Sequence, residues 1–300
     1  MSPELAALVE RALGELGDAA RAALAAAPAA VGDSIHSVIA ASDFVAYACA
    51  RDAQLLPQLI ESGDLIRPLT ATEYAARAPP LGSALSEAQA VSELRRWRRR
   101  ELTRIAWRDL ACWADLAATL TELTAFADQA IVSALARARA TLVTRYGEPR
   151  AAGGAIQPLL IIAMGKLGGG ELNFSSDVDL VLLFPEHGET DGPMRISNEE
   201  FFTRLGQTLV RLLQTATPEG FVLRVDLRLR PFGESGPLVS SFAAFEDYLP
   251  RHGRDWERYA YVKARPVTSA AHYAEVQATA IRPSSIAATS ITACSRACGR

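Results

Sequence analysis

Apolar residues recur at three- and four-residue spacing through roughly the first 147 positions, the periodicity that lets a helix bury one stripe and wet the other. Few β-branched runs interrupt this Ala- and Leu-rich region, which therefore predicts a helical bundle. One long helical stretch is expected from about Ser86 to Tyr146, divided into two or three helices. Ser86 and Glu87 suit its start, and Gly147 followed by Pro149 suits its end.

Between Gly147 and Pro158 the periodicity is lost and Gly and Pro accumulate, which marks a boundary. Two short apolar runs follow, Pro158 to Met164 and Val178 to Phe184, rich in Val, Ile and Leu and bounded by turn residues, as buried strands would be. Ser197 to Glu200 reads as a capping box, with a helix running to about Thr215. Phe221 to Arg230 alternates strictly: Arg224, Asp226, Arg228 and Arg230 share one face, Leu223, Val225, Leu227 and Leu229 the other. The expectation is a half-buried strand with a charged working face. Two amphipathic helices are expected at about Ser241 to Leu249 and Arg254 to Arg265. From Pro283 a Ser-, Ala-, Thr- and Cys-rich tail has no apolar period. The expected organisation is a helical region over 1–150, a mixed α+β domain over 151–282 and an irregular tail over 283–300.

Charge changes this picture little. Across 300 residues, 31 Lys plus Arg stand against 34 Asp plus Glu, a net charge of -3, so no general nucleic-acid or membrane-surface binder is indicated and any phosphate affinity must be local. The run Arg95, Arg96, Trp97, Arg98, Arg99, Arg100 could grip phosphates and stack on bases. The weightier reading is a helix face whose arginines pair with Glu93 and Glu101. Cys49, Cys112, Cys294 and Cys298 have no CxxC spacing, and charges interrupt the N-terminal apolar residues. The expectation is a reduced, cytoplasmic protein without a signal peptide or membrane span.

The candidate chemistry lies between 158 and 232. Asp177 and Asp179 are two residues apart at the start of a strand, so both carboxylates leave the same face and can share metal ions. Asp226, on the polar face of the alternating strand, is expected to complete a three-carboxylate clamp for two divalent cations, Mg²⁺ or alternatively Mn²⁺. Upstream, the segment Gly165, Lys166, Leu167, Gly168, Gly169, Gly170 follows a strand, and its glycines would let backbone N–H groups approach a phosphate while Lys166 adds charge. Ser176, like Ser175, is a phosphate contact or a cap of the strand entrance. Arg228 and Arg230 are candidates to stabilise charge on a transferred phosphoryl group. Each signal alone is weak: acidic pairs often solvate strand ends, Gly-rich turns are often only turns, and no GK[ST] pattern occurs. Their order along the chain carries the reading. The four histidines are scattered and suggest neither a triad nor a zinc site.

The segments GKLGGGELNFSSDVDLVLLF (165–184) and VDLRLRPFGESGPLVSSFAAFEDYLPRHGRDWERYAYVKARPV (225–267) closely resemble the glutamine synthetase adenylyltransferase/adenylyl-removing enzyme family. The resemblance covers roughly residues 86–282 and implies a DNA polymerase β-like nucleotidyltransferase fold, a small mixed sheet flanked by helices. The family's longer chain is similar to two such units in tandem, and this chain matches the front part of the first, the deadenylylating unit. What the resemblance implies is phosphorolysis: inorganic phosphate attacks the adenylylated tyrosine of glutamine synthetase and releases ADP, with Asp177, Asp179 and Asp226 as metal ligands. A nitrogen-signalling regulatory protein is a further partner implied for the full-length family. The tail departs from the family pattern, and a truncation or frame shift is expected there. The competing readings are a nucleotidyltransferase with another substrate, and a fragment that binds glutamine synthetase without turnover.

Overall fold

The computed structural model describes residues 3–82, 84–217 and 220–283. The tail expected from 283 onward falls, from 284, outside the described residues. By contact density the chain divides into two compact units, Met1–Pro79 with Glu93–Phe126, and Pro80–Ser92 with Ala127–Arg300.

The first unit is helical, as its periodicity predicts. Short helices α1 (Pro3–Gly14), α2 (Asp18–Ala26), α3 (Ala29–Ala41), α4 (Asp43–Arg51), α5 (Leu55–Glu61) and α6 (Ala71–Arg77) precede two long ones, α7 (Glu87–Leu110) and α8 (Leu116–Tyr146). The long stretch thus breaks once, at a turn where Cys112 takes a left-handed φ of 58°. Side chains define several starts: the Ser42 hydroxyl accepts from the Val45 N–H, and Thr70 and Glu73 cap α6 reciprocally. Val9, Val38, Val45, Leu56, Leu59 and Trp107 form the core. The Trp107 indole donates to the Ser34 hydroxyl at 2.9 Å, so even this large side chain is polar-satisfied. Beneath α7 lies a buried ionic network in which Arg104 pairs with Glu101 (2.9 Å) and with Glu122, and Arg108 also reaches Glu122. In the Arg-rich run Trp97 is buried against Phe126, with ring centroids 5.0 Å apart, while Arg96 pairs with Glu93 and Arg100 with Glu101, as the helix-face reading expects.

The second unit carries strands β1 (Pro149–Ala151), β2 (Leu160–Ala163), β3 (Val178–Phe184), β4 (Gly188–Thr190), β5 (Val225–Asp226), β6 (Ser240–Ser241) and β7 (Arg265–Pro266), with helices α9 (Gly165–Gly168), α10 (Asn198–Gln214), α11 (Phe242–Arg251), α12 (Asp255–Ala260) and α13 (Ala270–Val276). The main sheet runs β5-β3-β2-β7, and β6 also pairs with β3. β2 is antiparallel to β3 and β7, whereas β5 and β6 run parallel to β3, so the sheet is mixed. β1 and β4 form a separate antiparallel pair.

Alternation along β3 assigns its two faces. Val181 and Leu183 join Leu160 and Ile162 in a core covered by Phe245, Tyr248 and Leu249 of α11 and by Tyr273 and Val276 of α13. On the other side Gly206 of α10 approaches Leu182 closely enough that an added Cβ would stand 3.2 Å from its side chain. α10 presents Phe201, Phe202, Leu205, Leu209 and Leu212 as its buried stripe. The Ser197 hydroxyl accepts from the Glu200 N–H at 3.1 Å, but Glu200 turns to Arg204 instead of closing the capping box.

Two expectations are corrected. The alternating segment 221–230 contributes only Val225 and Asp226 to the sheet, because local bonds draw the backbone away on both sides. The N–H groups of Val222 and Leu223 donate to the Leu213 carbonyl, and the Arg228 N–H donates to the Asp226 carboxylate at 2.8 Å. The expected helix over 254–265 stops at Ala260, passes through a 3₁₀ turn (Tyr261–Lys263), and ends as β7, whose pairing with β2 draws the chain into the sheet.

Candidate functional site

Asp179 lies in β3 directly opposite Asp226 in β5, partners in the register of a parallel ladder, so their side chains leave the sheet on one face. Asp177, two residues before Asp179, shares its parity, and the three carboxylates stand where the apolar cover of that face gives out. Their proximity is felt electrostatically. Burial pushes the Asp179 carboxyl above its ordinary range, and the charges of Asp226 and then Asp177 push it the same way, against Arg228.

Arginines answer the other two acids. Arg224 Nε lies 2.5 Å from Asp177 Oδ1, and the same guanidinium donates to the Ser175 carbonyl. Arg228 grips Asp226 with Nε at 2.7 Å, which holds this carboxyl below its usual range against the opposing effect of burial, with the Arg228 backbone N–H assisting. Sequence reasoning placed both arginines beside Asp226; in the fold Arg224 belongs to Asp177, because the chain turns between them. Among the described residues no three acidic, His or Cys side chains are gathered closely enough, in these rotamers, to hold one metal ion. The donor set nonetheless fits one. It is made of carboxylate oxygens, which suit a hard divalent cation, and burial with the Asp226 and Asp177 charges disfavours the Asp179 carboxylate, a cost that a cation would offset.

The glycine segment works differently from a simple phosphate cradle. After β2 the chain makes the single turn α9, in which the N–H groups of Gly168 and Gly169 donate to the carbonyls of Met164 and Gly165 and are thereby engaged. Gly165 has a left-handed φ of 55°, and a Cβ there would stand 2.5 Å from Asp179 Oδ2, so glycine lets the turn pass beside the central carboxylate. At Gly168 a Cβ would collide with the carbonyl oxygens of Lys263 and Ala163, which makes it a packing glycine between α9 and the strand preceding it. Lys166 is exposed at this turn. The Ser176 hydroxyl donates to Asn173 Oδ1 at 2.5 Å, tying the loop before Asp177. Arg230 directs its guanidinium to the carbonyls of Leu227, Glu234 and Gly236 and so holds the loop after β5, rather than reaching toward the acids.

Sequence reasoning missed the contribution of the 3₁₀ turn Tyr261–Lys263 and of β7. Lys263 forms an ion pair with Glu171, and Arg265 donates to the Leu167 carbonyl and to Asp128 at 2.8 Å. Burial pushes the Asp128 carboxyl up and Arg265 opposes it. Arg265 and Lys263 thus brace α9 from behind. Nothing in their local spacing signals this, since the bond partners lie 92 to 137 positions away.

An acid-bearing mixed sheet covered by helices, with a glycine turn against its central carboxylate, defines the class: an α+β protein with three carboxylates gathered at the head of one strand. A model of the glutamate-ammonia ligase adenylyltransferase family matches residues 32–280. The chain belongs to that family. It is 49% identical over 252 residues to the bifunctional glutamine synthetase adenylyltransferase/adenylyl-removing enzyme of Thioalkalivibrio sulfidiphilus, covering 84% of this chain and 26% of that one. The proteins of the same name from Shewanella oneidensis and Pseudomonas aeruginosa are 42% identical over 284 residues and 46% identical over 259. These alignments cover 94% and 85% of this chain, and 30% and 26% of theirs. The chain therefore spans less than a third of the length of these relatives. No described helix is long and apolar enough to cross a membrane.

Proposed function

We propose that the cluster of Asp177, Asp179 and Asp226 is a nucleotidyl-transfer site of DNA polymerase β-like type that removes AMP from adenylylated glutamine synthetase by phosphorolysis. The observation that carries this reading is the register pairing of Asp179 with Asp226 beside Asp177, which gathers three acids on one face of the sheet. The adenylyl-removing activity in the relatives' names supports the choice of reaction.

In this reading Asp177, Asp179 and Asp226 hold divalent cations, Mg²⁺ or Mn²⁺, which when bound would neutralise charge on the phosphodiester. The protein's own groups position the reactants. A phosphate oxygen forms a bond to the adenylyl phosphorus as the bond to the tyrosine oxygen breaks; the tyrosine hydroxyl recovers a proton and ADP leaves. Arg224 and Arg228, drawn off their carboxylates, would take the phosphate oxygens, and Lys166 at the exposed turn would add a point charge. Ser176 holds the loop before Asp177 in place, and Gly165 keeps the approach to Asp179 open. Arg230 supports the loop that carries Arg228.

The test is to incubate the purified chain with adenylylated glutamine synthetase, Mg²⁺ and phosphate and to measure ADP. The parent releases ADP, and Asp177→Asn lowers the rate by about 100-fold or more. Equal release from both chains would remove these acids from the chemistry. Binding of glutamine synthetase with no release from either would favour a docking fragment.

A further inference from the structure

Away from the acids, the first compact unit contains a cavity of about 360 Å³. One face of α7 supplies Glu93, Arg96, Trp97 and Arg100, and Arg77 at the end of α6 and the Gln54 and Gln58 amides complete the polar wall. Leu55 and Pro79 make an apolar patch on the same wall. The size lies at the small end of metabolite pockets.

The lining favours a negative guest. Three guanidinium groups face two carboxylates, and both acids are engaged: Glu93 by Arg96 at 2.9 Å, Asp52 by the Gln54 N–H at 3.2 Å. Arg77 and Arg100 are held side by side from behind, because both bond Oδ2 of Asp64, a carboxylate only 1% exposed that also receives Arg67 at 3.1 Å. Burial alone would push the Asp64 carboxyl up; the bonds and charges of Arg77 and Arg100 overcome this and hold it well below the usual range. A guanidinium carries five donors in a rigid fork, and the contacts to Asp64 and Glu101 engage part of each fork. The indole of Trp97 supplies a further signal. Trp97 is 7% exposed and lines the cavity, and its Nε1 is buried without a hydrogen-bond partner, an uncommon state for a buried donor.

We propose that this cavity binds a small organic anion through a phosphate or carboxylate group, which the guanidiniums of Arg77, Arg96 and Arg100 receive while Trp97 and Leu55 cover its carbon body. This effector-type site is independent of the reaction assigned to the acids. Asp64 is a positioning residue that fixes two of the three arginines.

The experiment titrates the whole chain with inorganic phosphate, with succinate and with uncharged succinamide, by calorimetry and by tryptophan fluorescence. The expected result is a saturable event for phosphate or succinate that changes tryptophan fluorescence and is weakened in the cavity variants, and none for succinamide; phosphate bound at the acids would add a separate event that the cavity variants leave unchanged. Arg77→Gln and Arg100→Gln would leave Asp64 poorly paired and endanger folding, so the deciding variants are Arg96→Gln, whose ion pair is at the surface, and Trp97→Phe, which keeps the ring packing on Phe126. Each is expected to weaken binding about tenfold, and Trp97→Phe also to abolish the fluorescence change. The proposal is overturned by the absence of saturable binding of either anion, or by binding indifferent to both deciding variants.

Discussion

Asp179 is the most frustrated side chain of the site. Its folded pKa is raised above the ordinary 3.8 by burial and by two neighbouring anions, so the folded state holds the proton more tightly than the unfolded one. The carboxyl is therefore stability-neutral below the unfolded value and opposes folding as pH rises through the folded value. Asp179→Asn removes that opposition. Its melting temperature is expected to exceed the parent's by about 1–3 °C at pH 7, the difference vanishing near pH 3, as calorimetric scans at both pH values would show. The adjacency of Asp177 and Asp179 was legible as an i, i+2 pair. That Arg224 answers Asp177 and Arg230 binds carbonyls was not, because alternation predicts which face a residue takes only while the backbone remains a strand.

At the scale of elements, β2, β3 and α10 read directly from the chain, since an unbroken run of Val, Ile and Leu or a 3.6-residue stripe needs no distant partner to declare itself. α9 does not. A run of glycines is compatible with a loop, a cradle or a turn, and what selects the turn is contact with backbone brought from residues 263–265. Gly168→Ala places a methyl against the Lys263 and Ala163 carbonyls and is expected to cost about 1–3 kcal/mol, measured by urea denaturation; a neutral result would show that α9 can move away. β5 is likewise short because two residues suffice for the register while the flanks bond locally.

The compact units do not follow chain order: α7 and α8 each contribute to both, a division set by contacts and invisible to composition. In the first unit the buried Arg104 joins Glu101 and Glu122. Arg104→Met takes from Glu101 and Glu122 the one arginine they share, leaving Arg100 and Arg108 as their partners, and is expected to lower stability by about 3 kcal/mol, read as the shift of the guanidinium-chloride midpoint. The sequence by itself determined where chain texture changes, which segments bury a stripe or a whole strand, and that Asp177 and Asp179 share a face, because each of these follows from spacing along one backbone. Only the tertiary structure decided that Asp226 stands in register with Asp179, that Gly165 yields room to that carboxylate, and that three arginines gather round Asp64. Apart from the Arg67 contact, those juxtapositions join residues more than ten positions apart, and no local period encodes the closure of the chain that brings them together.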